Sequence, residues 1–391
     1  MKSGRYLQRL CQKIKGELKS GKSHQEKYMA GKRYFDYPML FLVIFLICFG
    51  LVMIYSTSSY KSTVTYGNSY HWLLRQAVAI VLGAVAMVVC CKLDYRIMKS
   101  EKFGNGCYWA SIVLLVLVLI IGAAKKGAVR WISIAGFQFQ PSEVSKILVV
   151  IYLANRLSAN AHKIRTFKDS IVIVLPTVPI IALIVTQNLS TALVVCSMIG
   201  VMLFVVSPKM KELMLTAGGG IILLFVYLLT ANSYRNERVQ IWLHPESHKK
   251  GFQTMQALYA IGSGGIFGKG LGQSMQKMGF IPESHNDMIF SIICEELGLF
   301  GAVCLILVFV ALIFRMLLIA LNTEDLFGSL VVIGFMTHIA IQVFINIAVV
   351  TNTIPPTGIP LPFISYGGTS ILVVMIEMGI VLSISKKIHI R

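Results

Sequence analysis

Residues 282–314 read PESHNDMIFSIICEELGLFGAVCLILVFVALIF. A short polar run ending at Asp287 passes straight into an apolar stretch that begins at Met288. About 20 such residues cross the hydrocarbon core of a bilayer as a helix, so the junction marks a boundary between water and membrane. A carboxylate at that boundary can meet a lipid-borne partner and still exchange protons with water. Three readings of Asp287 stand at this point. It can cap the helix that follows, pair with a nearby cation, or act as a general base within reach of a proton. The helix dipole lowers the pKa of a carboxyl at this end, and apolar surroundings raise it. The sum has no sign from sequence alone.

Further along the same stretch come Glu295 and Glu296. At 1.5 Å per residue, Glu295 lies about 12 Å deeper than Asp287 and about 80° around the helix. A charge at the centre of a span costs at least about 2.5–3.5 kcal/mol, and such residues face a bundle interior or a cavity. Both are assigned to a buried network. Glu143 and Lys146, spaced i,i+3 at the start of another span, are assigned to pair with each other.

Working outward, the whole chain has the same character. Its 391 residues are 56% hydrophobic and 14% charged, against about 25% charged in a soluble domain. Ten apolar spans are predicted, at 38–57, 72–91, 107–124, 142–157, 169–186, 189–206, 213–232, 288–314, 326–350 and 366–385. The fold class is an all-α polytopic membrane protein. Residues 1–36 form a basic tail with ten Lys or Arg, and residues 37–391 form one transmembrane domain. No short apolar region near the start marks a cleavable signal, so the first span is expected to serve as an uncleaved anchor. An even number of spans puts both termini on one side, and the Lys/Arg bias makes that side the cytoplasm. Topology therefore accounts for the formal net charge of +19, which in a soluble protein would point to nucleic acid. The eight cysteines form no Cys-x-x-Cys pair, which argues against a disulfide framework and a zinc site.

Three loops fall on the outer face: 125–141, 233–287 between spans 7 and 8, and 351–365. Outer loops are normally poor in Lys and Arg. These carry Arg130, Arg235, Arg238 and Lys277, besides Lys125, Lys126, Lys249, Lys250 and Lys269. Cations just outside the bilayer suit a phosphate or pyrophosphate, with Arg forking two oxygens. Scattered solubilising charge is the plain alternative, strongest for Lys249 and Lys250. The Gly-rich run 262–272 fails the phosphate-loop pattern, because Lys269 is followed by Gly. Flexible or re-entrant backbone lining a cavity is expected there instead. His244, His248 and His285 sit in or beside the same loop, and their spacing does not single out a metal site. Residues 353–368 hold four prolines. Proline fixes φ and removes a donor, so this segment, with Pro360, Pro362 and Ser365, reads as a rigid, irregular outer wall.

Several strings together carry a resemblance. They are Gly127-Ala-Val-Arg-Trp-Ile, Phe139-Gln-Pro-Ser-Glu143, Ala260-Ile-Gly-Ser-Gly-Gly265, Gly270-Leu-Gly-Gln-Ser-Met-Gln-Lys277, Pro282-Glu-Ser-His-Asn-Asp287, Glu295-Glu-Leu-Gly298 and Pro356-Thr-Gly-Ile-Pro-Leu-Pro-Phe-Ile-Ser-Tyr-Gly-Gly368. With them the chain resembles the SEDS family (shape, elongation, division and sporulation), the group of FtsW, RodA and SpoVE. The Gly-Ser-Gly-Gly and Thr-Gly-Ile-Pro-Leu-Pro-Phe versions look more like FtsW or SpoVE than RodA. The resemblance covers everything but the basic tail.

It implies a peptidoglycan glycosyltransferase at the cell membrane, acting at the division septum or in sporulation. The implied substrate is lipid II, a disaccharide-pentapeptide on undecaprenyl pyrophosphate, and the implied partner is a class B penicillin-binding protein transpeptidase. Asp287 is then the catalytic base. Arg130, Arg235, Arg238 and Lys277 are candidates for the pyrophosphate or sugar, with no tightly bound cofactor and Mg or Mn as an aid. A lipid II flippase is the alternative, and a purely structural scaffold is a third reading. A carrier keeps its polar groups near the midplane, whereas the cations and Asp287 cluster at the outer surface, which favours the enzyme. There is one departure of note. The family often has an acid at the turn between spans 5 and 6, where this chain has Asn188.

Overall fold

The computed structural model describes residues 35–125, 128–134, 137–164, 167–207, 233–248 and 251–388. Nearly all of the basic tail, the seventh expected span at 213–232, and Lys126, Lys249 and Lys250 lie outside the described residues. In chain order the helices are α1 (Tyr37–Tyr66), α2 (His71–Lys92), α3 (Glu101–Ile121), α4 (Pro141–Asn160), α5 (Phe167–Val174), α6 (Val178–Gln187), α7 (Leu189–Val206), α8 (Ser233–Leu243), α9 (Phe252–Gly264), α10 (Ile289–Asn322), α11 (Leu326–Val350) and α12 (Gly368–Ser385). Among the described residues, eight helical segments are long and apolar enough to cross a membrane, with α5 and α6 acting as one.

The differences from the expected spans have local causes. The first span was expected to end at 57, where hydropathy falls, but α1 runs on to Tyr66. Its Ser and Thr hydroxyls bond back to carbonyls of the preceding turn, as in Ser58 to Ile54 at 2.7 Å and Thr63 to Ser59 at 2.9 Å. The polar groups are thereby satisfied within the helix. Gly67, left-handed at φ 68°, then closes it. The fifth span is broken into two by a 3₁₀ turn, Leu175–Thr177, at Pro176. The fourth forms as α4 but is not among the eight apolar segments. It carries Glu143, Lys146 and Asn155, and it is buried along most of its length.

The chain is mostly helical, as expected for an all-α class, with one addition outside the spans. The first outer loop folds as a small antiparallel sheet of β1 (Ala123–Lys125), β2 (Ala128–Ile134) and β3 (Phe137–Phe139), in the order β1-β2-β3. Its register pairs Lys125 with Ala128 and Ile132 with Phe139. The alternating Val129-Arg-Trp-Ile-Ser-Ile134 is the strand signal.

The centre of the bundle is α11 and α12. In each, 72% of the spanning window is buried, against 22% for α2. α12 packs along α2, α3 along α4, and α10 touches α1, α9 and α11. At the end opposite Asp287, Arg315 of α10 pairs with Asp36 at 2.7 Å. Asp36 also caps α1 by accepting from the Met39 amide at 2.9 Å.

Candidate active site at the start of α10

α10 carries the junction on which the fold reading began. Its helix is interrupted at Gly298, which is left-handed at φ 68°. A break leaves carbonyls and amides without helical partners. The segment after α9 supplies them. The amides of Lys269 and Gly270 donate to the carbonyls of Glu295 and Glu296 at 3.0 and 2.9 Å, and the amides of Leu299 and Phe300 donate to the carbonyls of Gly265 and Ile266 at 2.9 and 3.0 Å. A Cβ on Gly298 would stand 2.3 Å from the Gly268 nitrogen. Glycine is needed where two backbones approach this closely. The Gly-rich run is therefore re-entrant backbone fitted to a broken helix, and it pairs four of the backbone groups at the break, as a lipid environment favours.

The side chains at the break form the expected network. Glu295 accepts from Lys269 at 2.7 Å, from the Ser274 hydroxyl, and from the amides of Met275 and Gln276 at 3.3 and 3.4 Å. Glu296 accepts from Lys277 at 2.7 Å and from Ser56 of α1 at 2.7 Å, and Lys277 also donates to Ser56 at 3.0 Å. Both glutamates are fully buried, and Lys277 is 5% exposed. Lys277 thus belongs with the network and already has a counter-ion. Ser56 was missed in the sequence because it sits in a run of hydroxyls that look alike. Glu143 and Lys146 pair at 2.8 Å as their spacing suggested. A second buried pair, His338 Nδ1 with Glu377 at 2.8 Å, joins α11 to α12 and was not anticipated.

Asp287 lies in the turn before this helix and is half-buried. Met288 occupies the N-cap position and makes no side-chain cap bond, so Asp287 stands one residue before the cap. The proline-rich wall faces Asp287. A Cβ on Gly358 would lie 3.6 Å from Asp287 Oδ2. Asn346 of α11 donates to the carbonyls of Asp287 and Ile359 at 2.8 and 2.9 Å. Ser365 Oγ donates to the Asn286 carbonyl at 2.7 Å and accepts from the Leu361 amide at 2.8 Å. The Tyr366 amide donates to the His285 carbonyl at 2.9 Å. Pro360 is half-buried and Pro362 buried within this wall. The Ser365 side chain and the Tyr366 amide thus tie the wall to the turn through the backbone carbonyls of Asn286 and His285, and Asn346 spans both segments.

One of the candidate cations reaches the same wall, and a second is bonded beside the helix start that touches it. Arg238 Nη1 donates to the Pro356 carbonyl at 3.1 Å. Arg130 Nε donates to the Gln187 carbonyl at 2.6 Å, one residue before Asn188. Asn188 caps α7 by accepting from the amides of Ser190 and Thr191, and Ser190 Oγ donates to the Thr357 carbonyl at 3.3 Å. The neutral Asn188 thus does the capping that an acid would do there. Arg235 is on the same helix as Arg238, and its side chain is not among those described. His285 is buried against Trp72 and Tyr366, with ring centroids 5.1 and 5.6 Å away. Burial, helped by the charge of Lys61, lowers its pKa to about 4, against a smaller opposing effect of Glu283. Its ring is therefore neutral at pH 7. Among the described residues, no group of three or more His, Cys, Asp or Glu is arranged to hold a metal ion.

Comparison with known proteins gives three concordant results. The family model of FtsW, RodA and SpoVE, described as cell cycle proteins, matches residues 37–389. The probable peptidoglycan glycosyltransferase FtsW of Geobacter metallireducens is 37% identical over 363 residues, covering 90% of this chain and 95% of that protein. Stage V sporulation protein E of Bacillus subtilis is 37% identical over 361 residues, covering 90% and 97%. Among solved structures, a chain from a peptidoglycan synthase complex, studied for how polymerization and crosslinking are coordinated, superposes with a TM-score of 0.77 at 28% identity, covering 93% of this chain and 99% of that one. The rod shape determining protein RodA of Thermus thermophilus superposes with a TM-score of 0.68 at 26% identity, covering 93% and 100%.

Proposed function

The chain belongs to the FtsW/RodA/SpoVE family and is a peptidoglycan glycosyltransferase of the membrane, and from that premise we propose that Asp287 is the base with which it polymerises lipid II. The observation that carries this reading is the position of the carboxylate. It stands at the start of a membrane helix, half-buried, against a proline-rich wall to which Arg238 is also bonded.

In the proposed step, Asp287 takes the proton from the sugar 4-hydroxyl of the acceptor. The freed oxygen forms a bond to the anomeric carbon of the donor. The bond from that carbon to the pyrophosphate oxygen breaks, and the electron pair leaves with the polyprenyl pyrophosphate. Arg130, Arg238 and Arg235 stabilise the charge that grows on the leaving group. Lys277 acts at one remove, because its ammonium is paired with Glu296. The partner is a class B penicillin-binding protein that cross-links the strands, and the site of action is the division septum or the sporulating cell.

A flippase is less well supported. A carrier needs polar groups near the midplane that are free to bind cargo. The deeper ionisable groups here are bonded within the protein: Glu295 with Lys269, Glu296 with Lys277, Glu143 with Lys146, and Glu377 with His338. The test is reconstitution of the protein with its partner and lipid II. Wild type is expected to make glycan strands and Asp287→Asn none, while both bind the substrate. Normal polymerisation by Asp287→Asn would remove the base assignment. Transport of lipid II across liposomes with no strands formed would favour the flippase.

A further inference from the structure

Beside the network at the helix break lies a groove that the chemistry above does not use. It has a volume of about 570 Å³ and runs between the outer half of α1 and the segment after the Gly-rich run. That volume is within the ~300–1,000 Å³ usual for ligand sites. Tyr55, Ser56 and Tyr60 line one side, and Leu271, Lys277 and Met278 line the other. We propose that this groove seats the apolar polyprenyl chain of the lipid-linked substrate. The identity of the chain rests on the glycosyltransferase reading; its location rests on the groove.

Three observations carry the inference. The first is charge. The one cation in the lining, Lys277, is 2.7 Å from Glu296 and 3.0 Å from Ser56, and the neighbouring Lys269 is matched by Glu295 at 2.7 Å. The floor is net neutral, so it suits a hydrocarbon and offers no excess charge to a phosphate headgroup. The second is level. One wall belongs to α1, a helix long and apolar enough to cross a membrane, and the other follows backbone bonded to α10 at Glu295 and Glu296, about two turns in from its start. Leu271 and Met278 remain 53% and 46% exposed there, which leaves apolar surface open along the groove for a hydrocarbon chain to cover. The third is continuity with the reacting end. Ser284 Oγ donates to the Thr57 carbonyl at 3.3 Å, the residue after Ser56. The catalytic turn and the groove wall thus meet at one step of α1.

This geometry does more than store a chain. The polar floor, Ser56–Lys277–Glu296, is the same clamp that holds the short helical segment leading out of Asp287. A chain in the groove packs on the clamp while its pyrophosphate is at the wall. Because lipid tails are as apolar as the groove, the chain gains packing and register here more than transfer free energy. The expected effect on affinity is accordingly modest, and it depends on chain length.

The experiment fills the groove. Ser59 and Val64 also line it on α1, and Ser59→Trp and Val64→Trp are compared with Val81→Trp on lipid-facing α2. Each protein is reconstituted in phospholipid vesicles and assayed with full-length lipid II and with a short-chain analogue. The two groove variants are expected to raise the ratio of long-chain to short-chain KM about fivefold, and Val81→Trp is expected to leave the ratio at its wild-type value. An unchanged ratio in both groove variants, with melting temperatures like wild type, overturns the proposal. A second arm needs no turnover, so it stands even if the glycosyltransferase reading fails. A photoactivatable polyprenyl phosphate is expected to label residues 52–64 and 271–278, and Ser59→Trp is expected to suppress that labelling. Labelling spread evenly over α2 and α3, or competed away by ordinary phospholipid, overturns the proposal.

Discussion

Asn346 is bonded to the backbone of Asp287: its amide donates to the Asp287 carbonyl at 2.8 Å, and also to Ile359 at 2.9 Å. One side chain from the most buried part of the bundle therefore sets the spacing between the carboxylate-bearing turn and the proline-rich wall. Asn346→Leu keeps the volume and removes both donors. Each stranded carbonyl costs about 1–3 kcal/mol. The melting temperature in detergent is expected to fall. The glycan polymerisation rate is expected to fall further, by more than tenfold in kcat with little change in KM, because displacing the proposed base costs alignment rather than binding. A lower melting temperature with kcat intact would make Asn346 structural only.

The pair of Lys277 and Glu296 gives the second prediction. Breaking a buried pair leaves an uncompensated charge and costs about 3–5 kcal/mol, whereas replacing both partners by apolar groups is often near neutral. Lys277→Met and Glu296→Leu are each expected to destabilise the protein strongly, and the double variant is expected to recover most of the loss. A thermal-melt double-mutant cycle measures this coupling. Additive losses would show that the 2.7 Å contact does not hold the two groups in one interaction.

The third prediction separates two glycines of one run. Gly262 has nothing within 4 Å of where a Cβ would go, whereas a Cβ on Gly268 would stand 2.2 Å from the Glu296 carbonyl oxygen. Gly268 is also left-handed, at φ 79°. Gly262→Ala is expected to leave expression and melting close to wild type. Gly268→Ala is expected to separate the two backbones and yield little folded protein in a detergent-extraction assay. Equal behaviour of the two variants would remove the re-entrant packing at the helix break.

How far the sequence led can be judged on these same residues. Most spans were legible because hydropathy over some 20 residues is a strong signal. The helical end of α1 was not, because hydroxyls bonded back to their own helix look polar to a hydropathy count. Glu295 and Glu296 were read correctly as a network, since a charge deep in a span has few other options. Lys277 was grouped with the outer cations because a sequence cannot tell a loop that stays outside from one that turns back onto a broken helix. Met288, rather than Asp287, became the N-cap, since the wall and Asn346 bind this turn from the other side. Such tertiary contacts override a local capping preference.

The last prediction concerns pH. Burial lowers the pKa of His285 to about 4, from an ordinary value of 6.5. The folded protein then holds a neutral ring where the unfolded chain begins to bind a proton. Stability from this residue is fully present above about pH 6.5 and is lost progressively as pH falls from there towards 4. At about 1.4 kcal/mol per pKa unit, the loss is about 3 kcal/mol. His285→Phe keeps a ring between Trp72 and Tyr366 and has no proton to bind. Wild type is expected to lose melting temperature between pH 7 and pH 4.5 more steeply than His285→Phe does, since the carboxylates titrate alike in both. Because the ring sits two residues from Asp287, the same acid range is expected to disturb the turn that carries this proposed base before the bundle melts. In wild type, polymerisation is expected to fall at a higher pH than the loss of helical signal, and that gap should narrow in His285→Phe. Parallel melting curves for the two proteins would mean that the ring is charged, or solvated, in the folded state.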